Sequence, residues 1–121
     1  MHIQDLLATS SYARVQKGFD EKQFLDVDQM HVKPWSIESS DYRYEGGMSA
    51  CKDVESLMHY IATVGMPEDY DTLVLFEGYY VDNGEDAGLG EVIVEATKVK
   101  QVIKIADIEG YDEYLDSLLG W

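Results

Sequence analysis

Residues 72–106 constrain the fold of this chain most, because β-branched and aromatic side chains are concentrated there and one glycine-rich stretch interrupts them. The segments TLVLFEGYYV, EVIVEA and KVKQVIKIA each have the composition of a β-strand. The first two are separated by DNGEDAGLG, residues 82–90, whose Asn-Gly pair and additional glycines are typical of a hairpin with an enlarged loop. We therefore expect a small, mostly antiparallel sheet of about 3–4 strands.

The first of these strands should lie at the centre of the sheet, because apolar side chains alternate onto both of its faces. Leu73 and Leu75 point to one face, and Val74 and Phe76 point to the other. In the other two segments charged residues recur at alternate positions, so one face of each should be half exposed. Glu77 interrupts the apolar run of the first strand, and we expect a lysine from KVKQVIK to neutralise it.

A long helix is predicted over residues 49–64 from apolar side chains at helical spacing. Gly65 stands where a C-terminal cap is expected, and Pro67 prevents the helix from continuing. The face that should cover the sheet consists of Val54, Leu57, Met58 and Ile61.

Weaker patterns predict three more helices and one more strand. An N-terminal helix is expected over residues 3–17, a short helix within DEKQFLDVDQM, and a C-terminal helix with Tyr111, Tyr114, Leu115 and Leu118 on its apolar face. DYRYEGG, residues 41–47, would add an edge strand. Together these elements predict one α+β domain over residues 1–121, with the sheet packed against the long helix.

The cysteine content and hydropathy favour a soluble protein of the cytoplasm. Cys51 is the only cysteine, so an intramolecular disulfide is excluded, and we expect it to be a small buried apolar residue in a reducing compartment. The first residues lack the basic start and continuous apolar stretch of a secretion signal. No apolar run approaches the roughly 18 residues of a membrane-spanning helix.

No motif for a metal, a cofactor or catalysis is complete. The stretch DNGEDAGLG fails the calcium-loop pattern, because Gly84 and Ala87 occupy positions that need a ligand and a glycine, respectively. It also lacks the lysine and hydroxyl of a phosphate-binding loop, so a plain turn is the preferred interpretation and loose binding of a divalent cation is the alternative. Glu55 and His59 are four residues apart on the long helix, but two ligands without a third favour a polar helix face. We therefore expect no cofactor, no metal site and no catalytic residue.

The charge of the chain is its strongest functional signal. The sequence has 24 acidic and 9 basic residues, a net charge of −15, and most of the excess lies in residues 61–121. Fifteen charges equal those on about 26 Å of duplex DNA, close to the diameter of a domain of this size. Direct binding to nucleic acid or to an anionic membrane is therefore not expected, because phosphates would be repelled. The charge indicates instead a basic protein partner, or no partner at all.

In size and charge the chain resembles the DNA-mimic inhibitors that phages and mobile elements make against restriction or CRISPR effectors. This resemblance is one of composition, and it implies a protein that occupies the basic nucleic-acid-binding site of a partner protein or effector complex. Whether the chain also forms a homodimer is left open. The residues expected to form the binding surface are Glu68, Asp69, Asp71, Asp82, Glu85, Asp86, Glu91, Glu95, Asp112, Glu113 and Asp116.

Two alternatives come from other functional classes. One is a small transferase or hydrolase that uses Glu77 in a cleft lined by some of the nine tyrosines. The other is an acid-adapted domain from a salt-loving organism, in which negative charge maintains hydration.

Overall fold

The computed structural model describes residues 1–25, 47–84 and 87–120, and within them the protein has the expected α+β fold. The helices are α1 (Ile3–Leu7), α2 (Glu21–Phe24), α3 (Val54–Val64) and α4 (Tyr111–Leu118). The strands are β1 (Tyr12–Gln16), β2 (Met48–Cys51), β3 (Thr72–Asn83) and β4 (Glu91–Lys104). Single 3-10 turns are formed by Ala87–Leu89 and Ile105–Asp107.

The four strands pair antiparallel in the order β1-β2-β4-β3, and the sheet closes on itself. The long β3–β4 hairpin forms its centre. β1 pairs with the outer edge of β3 over residues 72–76, and β2 pairs with the outer edge of β4 over residues 91–94. Three register shifts interrupt the hairpin. Because such irregularities bend and twist a ribbon, they allow β1 and β2 to meet, at Ala13 and Cys51.

Both faces of β3 are buried near its start, as its alternating pattern predicted. Leu73 and Leu75 belong to a core that the sheet shares with α1, α3 and α4. Val74 and Phe76 belong to a second core, which is covered by Phe24 of α2. The rings of Phe24 and Phe76 meet edge to face, with 5.1 Å between their centroids.

Helix α3 begins later than expected, at Val54. The Asp53 side chain caps it by accepting a hydrogen bond of 2.8 Å from the Ser56 N–H. Its C-terminal cap is Gly65, as predicted, with a φ of 77°. The prediction of helix over residues 49–53 was wrong because residues 48–51 form β2, and pairing with β4 outweighs the local helical pattern.

The N-terminal helix is also shorter than expected, and residues 12–16 form β1. Ala13 and Val15 face the core of α1, α3 and α4, while Arg14 and Gln16 are buried on the opposite side. This two-residue alternation is that of a strand buried on both faces. The prediction of one helix over residues 3–17 was therefore wrong.

Other expectations concern segments that are partly described. EVIVEA and KVKQVIKIA were predicted as two strands, but residues 91–104 form the single strand β4. The short helix predicted within DEKQFLDVDQM is present as α2, and its continuation beyond residue 25 lies outside the described residues. So does the edge strand predicted for DYRYEGG, apart from its last glycine.

Candidate functional site

The residues expected to form an acidic binding surface lie on three separate elements. Glu68, Asp69 and Asp71 belong to the segment between α3 and β3. Asp82 and Glu95 belong to the part of the β3–β4 hairpin nearest its turn. Asp112, Glu113 and Asp116 lie on the exposed side of α4. Glu85 and Asp86 lie outside the described residues, and Glu91 requires a correction.

Glu91 is not part of the surface, because its side chain is only 2% exposed. Its carboxylate packs directly against Gly84, where any larger residue would collide with it. It also interacts electrostatically with Arg14, which is equally buried. The Arg14 guanidinium donates hydrogen bonds to the Ser49 carbonyl (2.7 Å) and to the Gln16 side chain (3.0 Å). Burial lowers the pKa of Arg14 to about 10, although the charges of Tyr70 and Glu91 oppose this shift. Glu91 is therefore a charged neighbour of Arg14 in the buried interior.

Two carboxylates of the segment between α3 and β3 are held by lysines. The ammonium of Lys17 lies 3.5 Å from Asp69, and that of Lys104 lies 3.7 Å from Asp71. Asp71 also accepts a hydrogen bond from the Gly18 N–H, which is the main reason that its pKa is lowered, and the Thr72 hydroxyl and Lys104 act in the same direction. Asp69 and Asp71 are therefore partners in exposed ion pairs at the surface.

Glu77 lies on the surface, with 53% of its side chain exposed and the Lys100 ammonium 3.5 Å away. The prediction that a lysine of the third segment neutralises it is confirmed. Tyr79 and Tyr80, which follow it on β3, project into solvent. Glu77 is thus an exposed ion-pair partner on β3.

Cys51 is buried on β2, as expected for a small apolar residue. Burial raises the pKa of its thiol to about 12, and the charges of Glu91 and Asp53 act in the same direction. Because the thiolate is the reactive form, burial and the raised pKa both disfavour a nucleophilic role for this cysteine.

Among the described residues, the largest set of acids without lysine partners lies on what we call the helical layer, formed by residues 1–8, 53–66 and 105–120. These three stretches include α1, α3 and α4 and contain no lysine or arginine. Backbone hydrogen bonds of 2.8 Å join residues 1–3 to Glu109 on both sides of a short parallel bridge. The layer carries Asp5, Asp53, Glu55, Asp107, Glu109, Asp112, Glu113 and Asp116, and all except the capping Asp53 are exposed.

Helix α4 carries three of these carboxylates in an arrangement that local structure only partly favours. Asp112 and Glu113 lie in the first turn, where the helix dipole stabilises negative charge. Asp116 lies in the last turn, where the dipole disfavours it, and one helical turn from Asp112. No basic residue lies in that turn, so stability alone does not explain Asp116.

An open cleft of about 470 Å³ lies between α1 and α4 on this layer. Its walls are His2, Ile3, Gln4, Glu109, Gly110, Glu113, Tyr114 and Ser117. The Nδ1 atom of His2 accepts a hydrogen bond from the Gln4 N–H (3.1 Å), so in the neutral ring the proton is on Nε2. Burial, assisted by the charge of Glu55, raises the pKa of the Tyr114 phenol.

The described residues offer no group of three or more histidine, cysteine, aspartate or glutamate side chains suited to a metal ion. Glu55 and His59 are both exposed on α3. None of the helices in this part of the chain is sufficiently long and apolar to span a membrane.

Comparison of the chain with protein-family models, with curated proteins and with solved structures gave no match. Function must therefore be inferred from the charge and geometry of the surface. The sequence indicated part of the helical layer, because residues 53–66 and 105–120 contain no lysine or arginine. What it did not indicate is that residues 1–8 join them.

Proposed function

We propose that this protein is an acidic binding protein whose helical layer occupies the basic nucleic-acid-binding site of a partner protein. The observation that carries the proposal is the separation of charge over the described residues. The helical layer has exposed carboxylates and no lysine or arginine, whereas the described lysines lie on or beside the strands and α2. An acid-adapted domain would need no such separation, because hydration requires only that the acids be exposed.

The helical layer offers a basic partner both long-range attraction and a place for close contact. Clustered charge of one sign raises the association rate with a surface of opposite sign. The cleft between α1 and α4 is lined by Glu109, Glu113 and Tyr114. An arginine or lysine of the partner would meet negative charge and an aromatic ring there. Because tyrosine is common among the residues that dominate binding energy, Tyr114 is the expected anchor.

The unfavourable position of a negative charge in α4 supports the same interpretation. Asp116 is disfavoured by the helix dipole and by Asp112, each by a few tenths of a kcal/mol. Neutral or basic side chains would make a more stable helix. A requirement for negative charge on this face accounts for the residues that are present. A DNA-mimic inhibitor of a restriction or CRISPR effector in the cytoplasm is the class of protein that we propose.

The test compares two triple variants that remove the same net charge. The first, Asp112→Asn/Glu113→Gln/Asp116→Asn, neutralises α4. The matched control, Glu68→Gln/Asp69→Asn/Glu77→Gln, neutralises three exposed carboxylates outside the helical layer, two of which are paired with lysines. Partners are captured from cells on the wild-type protein and identified by mass spectrometry. The affinity of each variant for the purified partner is then measured, with duplex DNA as a competitor.

We expect the α4 variant to bind roughly a hundredfold more weakly than the wild type, and the control to bind within about threefold. Duplex DNA should displace the wild-type protein from its partner, and binding should weaken steeply between about 50 and 500 mM salt. The proposal is wrong if the partner binds DNA and this protein at the same time. It is also wrong if the two variants lose equal affinity.

A further inference from the structure

Asn83 is the only asparagine of the chain, and Gly84 follows it directly. Asparagine is a chemically labile residue, because the backbone nitrogen of the next residue can attack its side-chain amide. Glycine has no side chain to hinder this attack and restricts the backbone least, so an Asn-Gly pair is especially reactive. Asn83 is the last residue of β3 and is exposed. A reactive sequence and access to water therefore meet at the end of the β3–β4 hairpin.

We propose that Asn83 is a site of spontaneous deamidation, which is restrained while the end of the hairpin is closed and proceeds when that end opens. The Gly84 nitrogen loses its proton and forms a bond to the Asn83 Cγ, while the Cγ–Nδ2 bond breaks and ammonia leaves with that proton. Water then adds to either carbonyl of the resulting cyclic imide and breaks its bond to the Gly84 nitrogen. The products are aspartate and isoaspartate, and both carry one additional negative charge.

Two hydrogen bonds hold the reacting groups in the closed hairpin. The Gly84 N–H donates to the Glu91 carbonyl (3.2 Å), so the nitrogen that must lose its proton is engaged across the hairpin. The Tyr80 hydroxyl donates to the Asn83 Oδ1 (2.6 Å), which fixes the side-chain amide that must be attacked. Gly84 also packs against the buried Glu91 carboxylate. The Gly84 nitrogen can therefore turn towards the Asn83 Cγ only after this end of the hairpin has opened.

Only a short ladder closes the end of the hairpin among the described residues. A register shift after Tyr80 leaves Val81 outside the ladder, and beyond it residues 82–83 pair with residues 92–93. Breaking these pairs leaves the pairing of β3 with β1 intact, because that pairing ends at Phe76. Short segments of this kind open locally at a lower free energy than the whole protein. The reaction can therefore proceed while the rest of the protein stays folded.

The two products should affect the hairpin differently. Aspartate leaves the main chain unchanged, and its carboxylate can still accept a hydrogen bond from the Tyr80 hydroxyl. Isoaspartate inserts a methylene carbon into the main chain before Gly84, where a larger residue would already collide with the Glu91 carboxylate. Isoaspartate should therefore keep this end of the hairpin open. The inference does not depend on the proposed function.

The test follows the full chain in mildly alkaline buffer over several weeks, both folded and unfolded in urea. Intact mass spectrometry measures the conversion of an amide to an acid, and peptide mapping separates Asn83 from the glutamines. Electron-transfer fragmentation distinguishes aspartate from isoaspartate. We expect both products at residue 83 of the folded protein, and conversion should be roughly tenfold or more faster in urea.

Two tyrosine variants form a matched pair for this measurement. Tyr79 and Tyr80 are neighbours on β3 and are both exposed, and each substitution to phenylalanine removes one hydroxyl. Tyr80→Phe should deamidate roughly fivefold faster than the wild type, because the Asn83 amide loses its hydrogen bond. Tyr79→Phe should react within about twofold of the wild type.

The inference is overturned if folded protein shows no conversion at residue 83 by the time that protein in urea is fully converted. Equal rates in the folded and unfolded protein would also overturn it, and so would a Tyr80→Phe variant that reacts no faster than Tyr79→Phe. If Tyr80→Phe proves unfolded by circular dichroism, the comparison of folded and unfolded wild type decides.

Discussion

At the scale of single residues, Tyr111 shows how the helical layer combines burial with negative charge. Its phenol lies at the start of α4 against the core formed with α1 and α3. Burial raises the pKa of Tyr111 to about 12, and the neighbouring charge of Asp112 acts in the same direction. The ordinary value of 10.0 applies once the chain is unfolded and the side chain is hydrated. The folded protein therefore keeps this proton at a pH where the unfolded chain releases it.

This difference predicts a loss of stability in alkaline solution. Because the unfolded chain releases the Tyr111 proton first, raising the pH from about 10 to about 12 favours unfolding. The contribution should be about 1–2 kcal/mol, since the side chain is partly exposed and solvent screens the effect. Urea unfolding of wild type and Tyr111→Phe at several pH values measures it. The difference in unfolding free energy between the two proteins should shift in favour of the variant as the pH rises through this window.

Tyr79→Phe is the control for that experiment, since Tyr79 is exposed on β3. It should show the wild-type dependence on pH. An identical pH dependence in wild type and Tyr111→Phe would contradict the burial of the phenol.

At the scale of secondary structure, the sequence predicted those elements whose side-chain pattern is local. The two apolar faces of β3, the buried face of α3 and the position of α4 follow from spacing alone. The strands β1 and β2 were missed because both are short, and each depends on pairing with a distant segment. Their apolar residues also fit a helical pattern, and only the partner strand decides between the two. The division of β4 into two strands failed for a related reason, because register shifts let a single strand follow the bent hairpin.

A single substitution in α4 should change stability and the proposed binding in opposite directions. Asp116→Asn removes a charge that the helix dipole and Asp112 both disfavour, so the protein should become more stable by about 0.5 kcal/mol. Asp112→Asn removes the same net charge from the favourable first turn, so its stability should be unchanged or slightly lower. Thermal unfolding of the two variants checks the difference. Both should bind a basic partner more weakly than the wild type does.

If Asp116→Asn were destabilising, the carboxylate would have to make a structural contact on α4. Stability would then explain why Asp116 is present, without any requirement for binding.

At the scale of the whole molecule, the net charge of −15 is held by a chain of 121 residues. Ion pairs to lysines, such as those of Asp69, Asp71 and Glu77, offset part of it beside the strands. The helical layer has no such pairs among the described residues, so repulsion should be strongest there. The sequence indicated the amount of this charge and its excess in residues 61–121. It did not indicate that α1 joins the layer, because that requires contacts between residues 1–3 and residue 109.

Salt should therefore stabilise the free protein, while it should weaken the proposed complex with a basic partner. Raising NaCl from about 0.1 to 1 M shortens the Debye length from about 10 to about 3 Å and screens repulsion within the helical layer. We expect the midpoint of thermal unfolding to increase by about 5 °C. Calorimetry at a series of salt concentrations measures this change. The α4 triple variant should gain less from salt than the control triple variant, and an equal gain would mean that the repulsion is spread over the molecule.

The backbone hydrogen bonds between residues 1–3 and Glu109 also affect when the surface can form. They join segments more than a hundred residues apart, so the cleft between α1 and α4 cannot form until residues 109–117 have been synthesised. Contacts so distant along a chain form late and slow folding. If the protein acts as proposed, a nascent chain that still lacks α4 would therefore leave its basic partner unbound.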